Sequence, residues 1–119
     1  MSPPYPVIRA RFDRAIAGRD LGAAREAARE FSSPLGLIDA LQVLLLMLEV
    51  DDPTYDAAAV RWVGRFAIEC RGVTLTEIYA AAESLDALPS ADAEATLTTL
   101  IRRRGESGRA ASRADGGSR

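Results

Sequence analysis

The chain has 119 residues, enough for one domain, and a formal net charge of −2. It contains no histidine and no lysine, so all 15 positive charges are arginines. The lack of histidine removes the most common general acid–base catalyst and the most common metal ligand. Because no catalytic set replaces it, we expect a non-enzymatic protein that uses no cofactor and no metal.

The charge is unevenly distributed along the chain. Residues 1–101 contain 9 arginines against 15 acidic residues, whereas residues 102–119 contain 6 arginines against 2 acidic residues. Domains that bind nucleic acid are usually basic overall, so the acidic body argues against such binding by the body itself. The basic end of the chain keeps nucleic-acid binding open as an alternative.

The chain shows no targeting or membrane signal. Its N-terminal sequence, MSPPYPVIRARF, lacks a basic region followed by a long apolar stretch and is not typical of a signal peptide. The longest run of large apolar residues, Val43 to Leu48, is far shorter than the ~20 residues of a membrane span. The single cysteine, Cys70, favours a reducing compartment. The predicted location is the cytoplasm, away from membranes.

Glycine, proline and capping residues divide the chain into about six helical segments, and no segment alternates as a strand would. We therefore predict an all-α fold, a single compact bundle. The first helix is expected over Pro6–Ala17 and ends at Gly18. The second is expected over Leu21–Phe31, with Asp20 as its N-cap and a narrow alanine-rich apolar side.

The third predicted helix, Pro34–Val50, is apolar on nearly all sides and has Ser33 as its expected N-cap. A helix of this kind is usually buried, so we place it at the centre of the bundle. Val43, Leu46 and Met47 lie opposite its main leucine stripe. If they are not covered within the monomer, they form a partner surface or a dimer contact instead.

Three further helices complete the predicted bundle. The fourth starts after Asp51 or Asp52 and ends near Gly72, with its aromatic residues turned inward. A capping box of Thr74 and Glu77 starts the fifth, and Ser90 starts the sixth. The apolar residues of the fifth helix expected to face inward are Leu75, Ile78, Ala82, Leu85 and Leu88.

The helical domain is predicted to span residues 1–104. The segment that follows, 105–119, consists mainly of glycine, serine, alanine and arginine and has no large apolar residue. Such a segment cannot bury enough surface to offset the entropy of ordering it, so we predict a disordered tail.

Two stretches, RFDRAIAGRDLGAAREAARE and AAVRWVGRFAIECRGVTLTEIYAAAESLDALP, resemble short all-helical proteins of high-GC actinobacteria that are uncharacterised. The resemblance covers roughly residues 8–101 and implies a helical fold. It implies no catalytic or binding residue. The helical hairpin at 12–28 is also similar to a tetratricopeptide unit, but no second copy follows at about 34 residues.

One cluster of carboxylates and one cysteine are candidate chemical sites. Glu49, Asp51, Asp52 and Asp56 cluster between the third and fourth helices, where hard cations such as Mg²⁺ could bind oxygen ligands. Their spacing matches no calcium loop, so we interpret them as helix-capping residues, with a metal-dependent enzyme as the alternative. Cys70 lies near a helix C-terminus, which disfavours a thiolate, and is interpreted as an inert core residue.

Two groups of arginines are candidate contacts for anions or nucleic acid. Arg61 and Arg65 alternate with aromatic residues on the fourth helix, and Arg102, Arg103 and Arg104 end the sixth. The favoured hypothesis is a small helical protein–protein interaction module, whose partner is another protein of unknown identity. The alternative is a nucleic-acid-associated accessory protein that binds through these arginines.

Overall fold

A computed structural model describes residues 4–103, and all regular structure in that range is helical. The helices are α1 (Tyr5–Ala17), α2 (Leu21–Glu30), α3 (Leu37–Glu49), α4 (Tyr55–Glu69), α5 (Leu75–Ala87) and α6 (91–103). The prediction of an all-α fold with about six helices is confirmed. The chain forms two compact units, Met1–Asp56 (unit 1) and Ala57–Arg119 (unit 2). The predicted disordered tail lies outside the described residues.

The core of unit 1 forms where α1 and α2 pack together. Phe12 and Ala15 of α1 meet Ala24 and Ala27 of α2, and Leu46 of α3 joins this cluster. The alanines let the two helices approach closely, while Phe12 fills the space between them. Burying a side chain of this size stabilises the fold by about 1.5–3 kcal/mol.

The turn between α1 and α2 follows from local hydrogen bonding. Gly18 ends α1 as predicted, but it keeps a helical φ of −83°, and the left-handed residue is Arg19 with φ 57°. The backbone N–H of Asp20 then donates to the carbonyl of Ala15 at 2.9 Å, which closes a Schellman motif. Asp20 also caps α2, as predicted, by accepting from the backbone N–H of Ala23 at 3.0 Å.

The third helix starts later than predicted. The expected range, Pro34–Val50, is wrong at its N-terminus because α3 begins at Leu37 and its N-cap is Gly36 rather than Ser33. Leu35 packs against the core of unit 1 from the connecting segment. A glycine inside a helix also costs about 0.5–1 kcal/mol relative to alanine. Tertiary packing and Gly36 together override the Ser–Pro start signal.

The leucine-rich helix α3 is covered along nearly its whole length. None of its residues before Glu49 is exposed. The prediction of a buried, leucine-rich third helix is therefore confirmed. Its most deeply buried members are Leu37, Leu41, Leu44, Leu46 and Met47.

An arginine on α1 ties this helix to α3. The guanidinium of Arg9 donates to both carboxylate oxygens of Asp39, with one bond of 2.8 Å, and to Asp13 one turn further along α1. It also lies 5.4 Å above the ring of Phe12. The hydrogen bonds that Arg9 donates to Asp39, and then those to Asp13, raise the pKa of Arg9 above its ordinary value. The positive side of this contact therefore stays charged.

The buried side chains of unit 2 come from all three of its helices. The rings of Trp62 and Phe66 stack on α4 with centroids 5.7 Å apart and planes 9° from parallel. Thr74 and Glu77 form the predicted capping box at the start of α5, with bonds of 2.9 Å and 3.2 Å. The remaining buried residues are Ala81, Ser84, Leu85, Leu88, Ala93, Leu97 and Leu100.

Enlarging Ala27 tests the close approach of α1 and α2. Because Ala27 is 1% exposed, we expect Ala27→Leu to lower the free energy of unfolding by about 1–3 kcal/mol through overpacking. Ala10→Leu, at an exposed position of α1, is the matched control and should change it by less than about 0.5 kcal/mol. Urea denaturation measures the free energy of unfolding of both variants, and equal effects of the two changes would contradict the close packing of α1 on α2.

Candidate functional site

Helix α4 is apolar on two opposite faces. Trp62 and Phe66 are buried on one face. Val60, Gly64 and Ile68 follow each other at four-residue spacing on the other face, and we refer to these three as the α4 stripe. Val60 is 72% exposed and Ile68 is 85% exposed. A helix that has already buried its aromatic face has no need of these residues for its own packing.

Gly64 makes a gap in the middle of the α4 stripe. It lies in a helix interior, where glycine costs about 0.8–1 kcal/mol relative to alanine. A Cβ placed on Gly64 would meet no atom within 4 Å, so nothing in this structure requires glycine there. The stripe therefore presents a shallow notch, bounded along the helix by Val60 and Ile68.

Helix α5 also exposes apolar residues. Leu75 is 63% exposed, Tyr79 is 62% exposed, and Ala82 lies on the same side; these three form the α5 stripe. The prediction that Leu75 and Ala82 face inward is wrong. Ala81 and Ser84 are buried instead, because the inward side of α5 includes these small residues and is rotated away from Leu75.

Opposite charges border the two stripes. Arg61 is exposed beside the α4 stripe, one residue from Val60. Arg65, on the next turn, donates from its Nε to Glu69, four residues further along, at 2.6 Å. The α5 stripe is bordered by Glu83 and Asp86, both exposed. The α4 stripe thus has a cation at its N-terminal half, and the α5 stripe has carboxylates at its C-terminal half.

The other predicted arginine contacts lie at the end of the described chain. Arg102 and Arg103 are exposed on the last turn of α6, while Arg104 lies outside the described residues. Positive charge at a helix C-terminus is favourable in itself, so these arginines have a structural explanation as well. Their role as nucleic-acid contacts, together with Arg61 and Arg65, stays a prediction.

The residues proposed from sequence as a partner surface on α3 lie in the interior. Leu46 is 3% exposed and belongs to the core of unit 1, and Met47 is 2% exposed. Val43 is partly buried and packs against the same core. This side of α3 is therefore covered, and the most exposed aliphatic residues lie on α4 and α5.

The carboxylates around the start of α4 are engaged with neighbouring groups. Glu49 lies 3.2 Å from Arg19, and Asp52 lies 3.5 Å from Arg25. Asp52 also accepts from the backbone N–H of Thr54 at 2.8 Å and from its hydroxyl. Within residues 4–103, no group of three or more potential metal ligands comes together. Asp52 thus bonds to the turn that precedes α4, and Glu49 is held in an ion pair, so neither caps the helix with its side chain.

The turn after α3 repeats the one after α1. Asp51 has φ 56°, and the N–H of Asp52 donates to the carbonyl of Met47 at 2.8 Å. Asp56 lies in the first turn of α4, where a negative charge interacts favourably with the helix dipole. Cys70, just beyond α4, is half-buried rather than a core residue as predicted.

Comparison with known proteins adds no assignment. No family model, curated protein or solved structure matches the chain. Within residues 4–103, no helix combines the length and the apolar character that crossing a membrane requires. The candidate site therefore depends on the geometry alone.

Sequence reasoning missed Val60, Ile68 and Tyr79 as site residues. Outside the third helix, the sequence pattern predicts one inward face per helix, and Val60, Ile68 and Tyr79 lie outside those faces. The available signal was the four-residue spacing of Val60, Gly64 and Ile68, which places them on the side of α4 opposite Trp62 and Phe66. Two apolar stripes on opposite sides of one helix indicate a second contact surface.

The Asp52 contacts predict a pH dependence. The hydrogen bonds from Thr54, and to a smaller degree the charge of Arg25, lower the pKa of Asp52 below its ordinary value. A carboxyl of this kind stabilises the fold above its unfolded pKa, and the contribution is lost as pH falls through the folded pKa. We expect Asp52→Asn to lower the melting temperature at neutral pH, and the difference to shrink below about pH 4.

Melting curves of wild type and variant across this pH range measure the effect. Glu26→Gln, at an exposed position in the middle of α2, is the control and should give a small difference at every pH. A gap between wild type and Asp52→Asn that stays constant down to about pH 2 would contradict the role of the ionised carboxylate.

Proposed function

We propose that this chain is a small, non-enzymatic protein–protein interaction module whose binding surface comprises the α4 and α5 stripes. The observation that carries the proposal is the exposure of Val60, Ile68, Leu75 and Tyr79, each more than 60% exposed on a helix that buries other residues. Single exposed apolar residues are common, but rows of them at helical spacing are typical of interaction sites.

The composition of the two stripes supports a protein partner. Tyrosine contributes a large, rigid contact area and is enriched among the residues that dominate binding energy. Aliphatic residues such as Val60 and Ile68 bind an apolar surface without needing hydrogen-bond partners. The charged residues border the stripes rather than interrupt them, as the polar rim of an interface does.

The polar groups that an enzyme would need have structural roles in this chain. Asp52 and Glu49 form ion pairs, and Glu77 belongs to a capping box. Arg65, one of the two arginines on α4 considered as a nucleic-acid contact, is paired with Glu69. These contacts favour the module over both the metal-dependent enzyme and the nucleic-acid accessory protein.

Capture of partners from native lysate tests the proposal. Tagged wild-type protein is expected to retain a defined protein through high salt, because apolar contacts are not screened by ions. The double variant Ile68→Ala, Tyr79→Ala should lose that protein. It should fold normally, since both side chains are largely exposed.

The matched control is Val7→Ala, Val50→Ala, which removes exposed apolar side chains from unit 1. The control should retain the partner. If the wild type and the α4–α5 variant retain the same proteins, or if only nucleic acid is bound and elutes at moderate salt, the proposed function is wrong.

A further inference from the structure

The α4 and α5 stripes have complementary features. Val60, Gly64 and Ile68 repeat at four-residue spacing, and so do Leu75 and Tyr79 of the α5 stripe, with the bordering Glu83 four residues after Tyr79. The first row has a notch at its centre, and the second has a tyrosine ring at its centre. Both rows extend over roughly 12 Å of helix. The α4 stripe therefore has a notch that the Tyr79 ring of the α5 stripe would fill.

The complementarity specifies an antiparallel register. With the two helices antiparallel and Tyr79 opposite Gly64, Ile68 lies opposite Leu75, and Val60 lies opposite Glu83. The largest exposed side chain of α5 then enters the gap in α4, and the two aliphatic residues pack on each other. One alignment therefore places Tyr79 against Gly64 and Ile68 against Leu75, with no residue skipped in either helix.

The charges agree with the same register. At one end of the alignment, Arg61 lies opposite Ala82 and next to Glu83 and Asp86 on the adjoining turns. Arg61 is exposed and enters none of the ion pairs found within residues 4–103. A parallel alignment with Tyr79 opposite Gly64 would instead place Arg61 opposite Thr76, away from Glu83 and Asp86.

We propose that the partner bound by this surface is a second copy of the chain, with the α4 stripe of one copy packed antiparallel on the α5 stripe of the other and Tyr79 seated against Gly64. This inference rests on the proposed function and names its partner. Each copy carries both stripes, so the contact can form twice between two copies and close a symmetric dimer, or once per copy and extend into an oligomer.

Charge reversal tests the pairing of Arg61 with Glu83. Sedimentation equilibrium of the purified full-length chain, from micromolar to millimolar concentration, is expected to show reversible self-association. Arg61→Glu and Glu83→Arg should each weaken it by about tenfold or more, because each places like charges together. Both positions are exposed, so each variant should keep the melting temperature of the dilute wild type within a few degrees.

Restoring the complementary charge separates this pairing from a general loss of affinity. The double variant Arg61→Glu, Glu83→Arg should self-associate nearly as strongly as the wild type. An equimolar mixture of the two single variants should also associate, since each supplies the stripe that the other needs. Failure of both the double variant and the mixture would overturn the proposed register.

Substitutions that fill the notch at Gly64 should raise the melting temperature and weaken self-association. Gly64→Leu should raise the melting temperature of the dilute protein, because leucine favours the helix and the space beside Gly64 is open. The same change should abolish self-association by excluding Tyr79. Gly64→Ala should raise the melting temperature as well and weaken association less. Unchanged association in Gly64→Leu would overturn the proposal.

The two proposals fail in different ways. If the wild type stays monomeric up to millimolar concentration, the second-copy inference is overturned. The proposed function still stands in that case if lysate capture yields a protein that is lost with Ile68→Ala, Tyr79→Ala. If the wild type does not associate and captures no protein, both are wrong.

Discussion

The need to cover the leucine-rich helix α3 is the constraint on which the fold of unit 1 depends. A helix with no exposed residue before Glu49 is stable in water only when neighbours cover each of its sides. The α1–α2 pair covers one side of α3 through the cluster around Leu46. The contact of Arg9 with Asp39 holds α1 against the first turn of α3. Alanines at the contact between α1 and α2 let these two short helices pack closely, and the pair then covers this side of α3.

The second half of the chain shows the opposite situation. Helix α4 buries its aromatic face and also carries an apolar row that the structure leaves open. Gly64 weakens this helix without any packing reason inside the described residues. A residue that lowers helix stability, placed at the centre of an exposed apolar row, is explained when another chain must approach there. In the proposed pairing, the exposed Tyr79 on α5 of a second copy fills the space at Gly64.

Local signals in the sequence predicted much of the fold. The cap at Asp20, the stop at Gly18 and the capping box of Thr74 and Glu77 depend on neighbouring residues only, so sequence reasoning placed them correctly. The start of α3 was misplaced because Leu35 packs against residues distant in sequence. Such a contact is not visible in a local pattern.

The candidate site was missed for a related reason. Periodicity shows which residues share a helix face, but it does not show which of two apolar faces is covered. On α5 the covered side includes Ala81 and Ser84, small residues that a search for large apolar side chains passes over, and Leu75 is turned outward as a result. The exposure of the rows on α4 and α5 depends on tertiary packing, which a local sequence pattern does not contain.

Hydrogen–deuterium exchange at low and high protein concentration tests the central claim most directly, because it reports which helices another chain covers. Protection of a backbone amide rises when binding suppresses local opening of its helix. The account predicts that amides of α4 and α5 become more protected as concentration rises, while those of α1 and α2 do not change. Unchanged protection in α4 and α5, or an increase confined to unit 1, would contradict it.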